Sequence, residues 1–256
     1  MIITDTHTHL YSEAFKDDRT QMIDRALAVG VSRFFVPAID STYTEAMFEI
    51  REQYPENIFL MMGLHPTHVK EGNFKEELGH VETMLEKHKF YAVGEIGIDL
   101  YWDTSTLEIQ KEAFRHQIRL AKRYDLPIVI HCRDAFDEIF EVLESEKDES
   151  LFGIFHCFTG NLEQAKKAIS YKMKLGIGGV VTFKNGKIDQ FLKEINLEHI
   201  VLETDAPYLA PAPYRGKRNE SKYVQEVLNK LSSIYNKPKE EIAAVTTNNS
   251  INVFKI

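Results

Sequence analysis

His7 and His9 stand one residue apart in the opening stretch TDTHTHL, residues 4–10. On an extended segment, side chains two apart leave the same face, so this spacing can present two imidazoles to one cation. The same chemistry recurs along the chain at His65, Glu95, His131, His156 and Asp205. Neutral imidazole combined with carboxylate is a donor set for divalent metals: zinc or another transition ion where histidine dominates, magnesium or manganese where oxygen does. Any one of these histidines taken alone is more often a satisfied core or surface residue. A site exists only if the surrounding elements bring them together.

Short β-rich runs alternate with helix-patterned segments from end to end. The expected strands are Ile2–Thr6, Arg33–Ile39, Ile58–Gly63, Tyr91–Ile96, Pro127–His131, Gly153–His156, Leu175–Val181 and Ile200–Thr204, the length of buried parallel strands. Between them, Phe114, Ile118 and Ala121, or Val224, Val227, Leu228, Leu231 and Tyr235, recur at helical spacing among charges. Eight strand–helix units predict an α/β fold, a (β/α)8 TIM barrel spanning residues 1–256 as one domain, with an open doubly wound sheet as the alternative. Pro238–Phe254 predicts one extra C-terminal helix packed outside the barrel.

On that frame the polar residues fall in register. His7 and His9 end the first strand, His65 follows the third, Glu95 ends the fourth, His131 the fifth, His156 the sixth, and Asp205 the eighth. All belong to the C-terminal rim, where barrel enzymes build their active sites. Parity places His7 and His9 with Ile3, His131 with Val129, and Asp205 with Glu203, and it turns Cys132 and Cys157 to the opposite face as small buried hydrophobes. His80, His88, His116 and His199 fall in helical segments or at the opposite rim and are read as structural or solvent-facing, while His68 lies on the correct rim but farther from its strand.

Composition narrows the function classes. The chain has 256 residues, 43% apolar and 27% charged, as a globular protein does, and no apolar run approaches a membrane span. Its start carries no secretory-signal pattern, so a cytoplasmic location is expected. The formal charge of −8 argues against wrapping duplex nucleic acid by bulk electrostatics. It leaves room for a phosphate held locally by metal ions and a few arginines.

Seven motifs in strand order resemble the TatD family of metal-dependent deoxyribonucleases, within the amidohydrolase superfamily: DTHTHL, GLHP, VGEIGID, IHCRDA, FHCFTGN, ETDAPYLAP and RGKRNE. The resemblance covers nearly the whole chain. It implies a binuclear site of two divalent ions (zinc, magnesium or manganese) on His7, His9, Glu95, His131, His156 and Asp205, with Glu95 bridging. It also implies DNA as substrate, on single-stranded ends, for a protein that is a monomer or weak oligomer. The sequence departs from the family pattern at Thr67, where many members carry a second histidine after the proline and where His68 stands next, and at Ser221 in place of a proline.

Two ions about 3.5–4 Å apart would clamp a phosphodiester and lower the pKa of a water towards roughly 7. Asp205, with Glu95 the expected catalytic pair, would then accept the water's proton as general base. Substrate contacts are expected from His65, from Arg133 above His131, from Glu203 one layer deeper, and from Arg218 in the run Arg215, Lys217 and Arg218. Glu203 has a second reading as partner of a histidine ligand or holder of an additional ion, and a third as a satisfied buried carboxylate. Tyr101, Trp102 and Tyr208 are candidates to stack on unpaired bases. The alternatives are a hydrolase of cyclic amides, lactones or phosphotriesters on the same barrel, or a non-catalytic metal-stabilised binding protein.

Overall fold

Eight parallel strands wrapped by helices account for the chain in a computed structural model that describes residues 1–256. Strand β1 (Ile3–Asp5) leads through α1 (Arg19–Ala28) to β2 (Val31–Pro37), α2 (Thr44–Gln53), β3 (Ile58–Met61) and α3 (Phe74–Lys87). Then come β4 (Val93–Asp99), α4 (Leu107–Arg123), β5 (Ile128–Arg133), α5 (Phe136–Ser145), β6 (Gly153–Phe155), α6 (Leu162–Ser170) and β7 (Met173–Ile177). Strand β8 (Ile200–Leu202), α7 (Val224–Tyr235) and α8 (Lys239–Phe254) complete the order. Strands pair with their sequence neighbours as β1-β2-β3 and β4 to β8. Bridges between Met62 and Val93 and between Thr8 and Ala206 close the two seams, so the sheet forms the expected barrel.

The helices form where apolar residues recur every three or four positions. In α4 the buried stripe runs through Ala113, Phe114, Gln117, Ile118 and Ala121, and in α7 through Val224, Val227, Leu228 and Leu231. Helix α6 opens on a reciprocal cap, Asn161 accepting from Gln164 N while the Gln164 side chain accepts from Asn161 N. One expected helix is absent. Between β7 and β8 the chain makes short 3₁₀ turns from Gly179 to His199, because Gly178, Gly179 and the Asn185–Gly186 pair interrupt any helical run. Strand β7 accordingly stops before Gly178 rather than at Val181, and β4 runs on to Asp99.

The lower half of the barrel is filled by Phe35, Met61, Ala92, Val129, Ile154 and Val201. Helix α8, expected outside, closes this end instead. Its Val253 and Phe254 join the same cluster, and the Phe254 ring stacks on Phe35 with centroids 3.5 Å apart. Ile242, Ala243, Thr246, Asn249, Ser250 and Val253 are all buried and recur at helical spacing, so α8 lays one continuous face against the barrel. Asn249 Nδ2 ties it to the carbonyls of Leu197 and Ile200. With the bottom closed by α8, the buried histidines His7, His9, His65 and His156 gather at the upper rim. No helix is long and apolar enough to cross a membrane.

Candidate active site

Glu95, in β4 and 2% exposed, is the hub of the rim cluster. Its Oε2 lies 3.0 Å from His7 Nε2 and 3.7 Å from His9 Nε2. Its Oε1 lies 2.8 Å from His131 Nδ1, 2.9 Å from His156 Nε2 and 3.2 Å from His65 Nε2. Asp205 Oδ1 reaches to 3.4 Å from His9 Nε2 and 3.9 Å from His7 Nε2. Six residues drawn from five strands and the segments that follow them therefore meet, Glu95 from within β4 rather than from its end, with His65 beside them.

The donor chemistry fits divalent cations. A carboxylate oxygen has two lone pairs, yet Glu95 Oε1 faces three imidazole nitrogens, and the buried Nδ1 of His7 has no partner at all. Burial alone would raise the Glu95 pKa, but His156, His65 and His7 hold it well below the usual carboxylate range. Asp205 is likewise held down against burial by His9, His156 and His7. Burial pushes His65 down to about 4, so it is a neutral donor at pH 7. The close donor groups are His7, His9 and Glu95, then His7, His156 and Asp205, and then His65, Glu95 and His131. One cation would therefore suit His7, His9 and Glu95 Oε2 beside Asp205, and a second would suit His131 and Glu95 Oε1 beside His65 and His156.

Partners behind these residues set their orientation. The Tyr11 hydroxyl donates to Pro37 O at 2.8 Å, so it accepts from His9 Nδ1 at 2.9 Å, and the His9 Nε2 lone pair is left facing Asp205. His131 Nε2 lies 2.8 Å from Asp99 Oδ2. Fully buried Glu203 accepts from Cys157 N at 2.6 Å and sits 3.5 Å from His156 Nδ1. Gly176 makes the space for it, since a Cβ there would fall 2.2 Å from Glu203 Oε2. Asp205 occupies the left-handed region at φ 57°, in a turn held by Asn219 Nδ2 donating to Thr204 O and Tyr208 O. Beneath that turn Asp5 accepts from Thr204 N and Oγ1, and burial raises its pKa to about 7.

Several sequence expectations change. His65, expected against substrate, both lines the cavity and reaches into the cluster to Glu95. Glu203 is sealed behind His156 and faces no substrate. Regular β1 stops at Asp5, so parity with Ile3 does not place His7: Ile3 packs in the core that includes helix residues, while His7 points to Glu95. Cys157 does not turn away, because β6 has ended at Phe155 and Cys157 takes φ 43°; both it and Cys132 line the cavity above the cluster. Asp99, Tyr11 and Asp5 were missed, although Asp5 and Asp99 lie within the motif strings themselves. The four histidines set aside stay away from the rim: His80 bonds Thr44 Oγ1, His88 packs on Phe48, and His116 and His199 pair with Glu82 and Glu198.

The cavity holds about 600 Å³ and opens among His68, Trp102, Arg133, Tyr208 and Leu209. Tyr101, Trp102 and Tyr208 are 55%, 69% and 57% exposed, an unusual grouping of aromatic surface. The Arg133 guanidinium lies 3.7 Å over the Tyr101 ring and 5.6 Å from that of Trp102. His68 Nδ1 lies 2.5 Å from Asp40 Oδ2 at the opposite edge.

Arg218 is not part of this mouth. It donates to both Asp18 oxygens at 2.7 and 2.8 Å and to Glu220 at 3.0 Å, and Arg25 joins the same two carboxylates. The basic loop is thus spent on buckling the β8 segment to α1, while Arg215 stacks on Phe183. A partly exposed network of this kind contributes about 1–2 kcal/mol. Arg218→Ala should therefore lower Tm by about 3–6 °C at pH 7 and leave KM for substrate unchanged. Arg218 and Arg25 hold Asp18 below its usual range, and against burial Arg25 and Arg218 do the same for Glu220. Their contribution is complete above pH ~5 and fades as pH falls through the carboxylate range, so the Tm gap should narrow in acid. An Arg218→Ala protein of unaltered Tm but raised KM would restore the substrate role.

A family model described as TatD-related DNase matches residues 4–255. The uncharacterized metal-dependent hydrolase YabD of Bacillus subtilis is 41% identical over 257 residues, covering 100% of both chains. The crystal structure of YjjV, a TatD homologue from Escherichia coli K12, superposes with a TM-score of 0.93 at 31% identity, covering 99% of this chain and 98% of that one. A TatD-family hydrolase from Entamoeba histolytica shares the fold at a TM-score of 0.88 and 21% identity, covering 99% and 98%. Matched from its first histidine pair to its last helix, and carrying the cluster that metal-dependent hydrolysis needs, the chain belongs to the TatD-related DNase family of metal-dependent hydrolases.

Proposed function

We propose that the protein is a deoxyribonuclease that hydrolyses phosphodiesters at single-stranded DNA ends, using two divalent ions held by His7, His9, Glu95, His131, His156 and Asp205. The observation that carries this reading is the double engagement of Glu95, with two imidazoles at one oxygen and three at the other. When bound, the ions would supply Lewis acidity, making water nucleophilic near neutral pH and stabilising charge on the phosphoryl oxygens.

The chain's own residues do the rest. Asp205 stays ionised against burial and lies at the cavity wall, so it is placed to take the proton of the attacking water. Arg133 has no carboxylate partner and its fork is free to hold a phosphate oxygen while its flat face rests on Tyr101. Trp102, Tyr101 and Tyr208 offer π-faces to unstacked bases, each worth about 1–3 kcal/mol, and such bases exist at frayed or single-stranded ends. An acidic protein with one local guanidinium at its mouth suits an end better than a wrapped duplex.

Metal analysis of the purified protein, paired with product mapping on an end-labelled single-stranded oligonucleotide, tests the proposal directly. Stepwise release from one end with added divalent ions is expected. Turnover of a lactone or dihydropyrimidine with none of the oligonucleotide would overturn it in favour of a small-molecule hydrolase. Arg133→Ala should raise KM on the oligonucleotide about 10-fold, the loss of roughly 1.4 kcal/mol from a charged hydrogen bond, while leaving a small uncharged ester unaffected.

A further inference from the structure

Asp99, at the end of β4 and 2% exposed, divides its carboxylate between two parts of the site. Oδ2 lies 2.8 Å from His131 Nε2, while Oδ1 accepts from the backbone N–H of Tyr101 at 3.0 Å and of Trp102 at 3.2 Å. Gln110 of α4 clamps the same residue from behind, accepting from Asp99 N at 2.8 Å and donating to Asp99 O at 3.1 Å. The carboxylate therefore has little freedom to move.

We infer that Asp99 is a positioning residue that couples the second cation position to the aromatic edge that receives the DNA strand. An ionised carboxylate only accepts, so Oδ2 keeps the His131 proton on Nε2 and leaves the Nδ1 lone pair facing Glu95 Oε1, 2.8 Å away. The other oxygen fixes the turn that carries Tyr101 and Trp102, and through Tyr101 the resting place of Arg133. One side chain thus sets a donor nitrogen and the surface on which the strand end lies, holding the two in register. The inference rests on the metal-site reading above.

Two substitutions separate the two halves. Asp99→Asn retains one acceptor for the two backbone N–H groups, and that orientation is favoured because the reverse would face two donors with a third. Its amide then presents N–H to His131 Nε2, which drives the ring proton to Nδ1 and removes the lone pair aimed at Glu95. Zinc titration against a competing chelator should show one of two sites weakened about 10–100-fold. In EDTA, quenching of Trp102, the single tryptophan, by a short single-stranded oligonucleotide should match wild type. Asp99→Ala should lose the same zinc site and also weaken the oligonucleotide quenching several-fold. Wild-type zinc affinity at both sites in Asp99→Asn, or equal oligonucleotide affinity in Asp99→Asn and Asp99→Ala, would overturn the coupling while leaving the metal site intact. A wild-type protein that takes up no zinc would overturn the metal reading and this inference with it.

Discussion

Asp205→Asn should lower kcat/KM on a single-stranded oligonucleotide about 10²–10⁴-fold, the range that a positioned general base contributes, in a protein that remains folded. Asn has nearly the same shape, so the turn held by Asn219 and the left-handed backbone at 205 are undisturbed. Its carbonyl can still face His9 and the first cation position, but an amide cannot accept a proton from water near neutral pH. Because His9, His156 and His7 hold the Asp205 carboxyl below its usual range, the wild-type group is ionised throughout pH 6–9. The activity ratio of wild type to variant should therefore be flat across that interval. Measuring it at saturating metal, with bound metal quantified in the same samples, separates lost base from lost ligand. Retained activity in a folded, metal-loaded Asp205→Asn protein would remove Asp205 from the proton-transfer role.

Much of this site was legible because polar residues at strand ends are anomalous in a barrel, and the anomaly repeats. His131 and His156 each interrupt an apolar run at its C-terminal end, and His7 and Asp205 follow one after a short polar stretch, so strand order alone gathered them on one rim. Parity worked for His131 above Val129, but Cys132 in the same strand also lines the cavity, and parity failed again where the strand had already ended. Cys157 takes a left-handed conformation after β6 and so looks into the cavity despite its parity. Charge was the least legible property. Arg218 and Arg133 look alike in sequence, but Asp18 and Glu220, 200 and 2 positions from Arg218, neutralise one and not the other. Helix α8 was visible as a helix, whereas its role as the barrel's lower plug depends on Phe254 meeting Phe35 across the whole chain. Long-range pairing of this kind leaves no local periodicity to read.

Glu95→Gln should have the broadest effect of any single substitution, because both cation positions share this one carboxylate. Removing one partner from a buried charged set costs about 3–5 kcal/mol, or about 10²–10⁴ in a binding constant. The amide nitrogen that Glu95→Gln introduces would also present N–H where His131 and His156, or His7, now approach within 3.0 Å. Bound metal should fall from two ions per chain towards none at micromolar free ion, and hydrolysis should fall with it. A second readout is independent of turnover. Wild-type protein at a free-ion concentration about 100 times Kd gains about 2.7 kcal/mol by linkage, or roughly 5–10 °C in Tm for a chain of this size, and Glu95→Gln should show no such gain. The metal-free variant should melt below metal-free wild type, because Glu95 and Glu203 together raise the pKa of His156 against burial and only Glu203 remains to pair with it. A Glu95→Gln protein that still binds two ions and still rises in Tm would show that the two positions do not share a bridge, and the binuclear assignment would have to be abandoned.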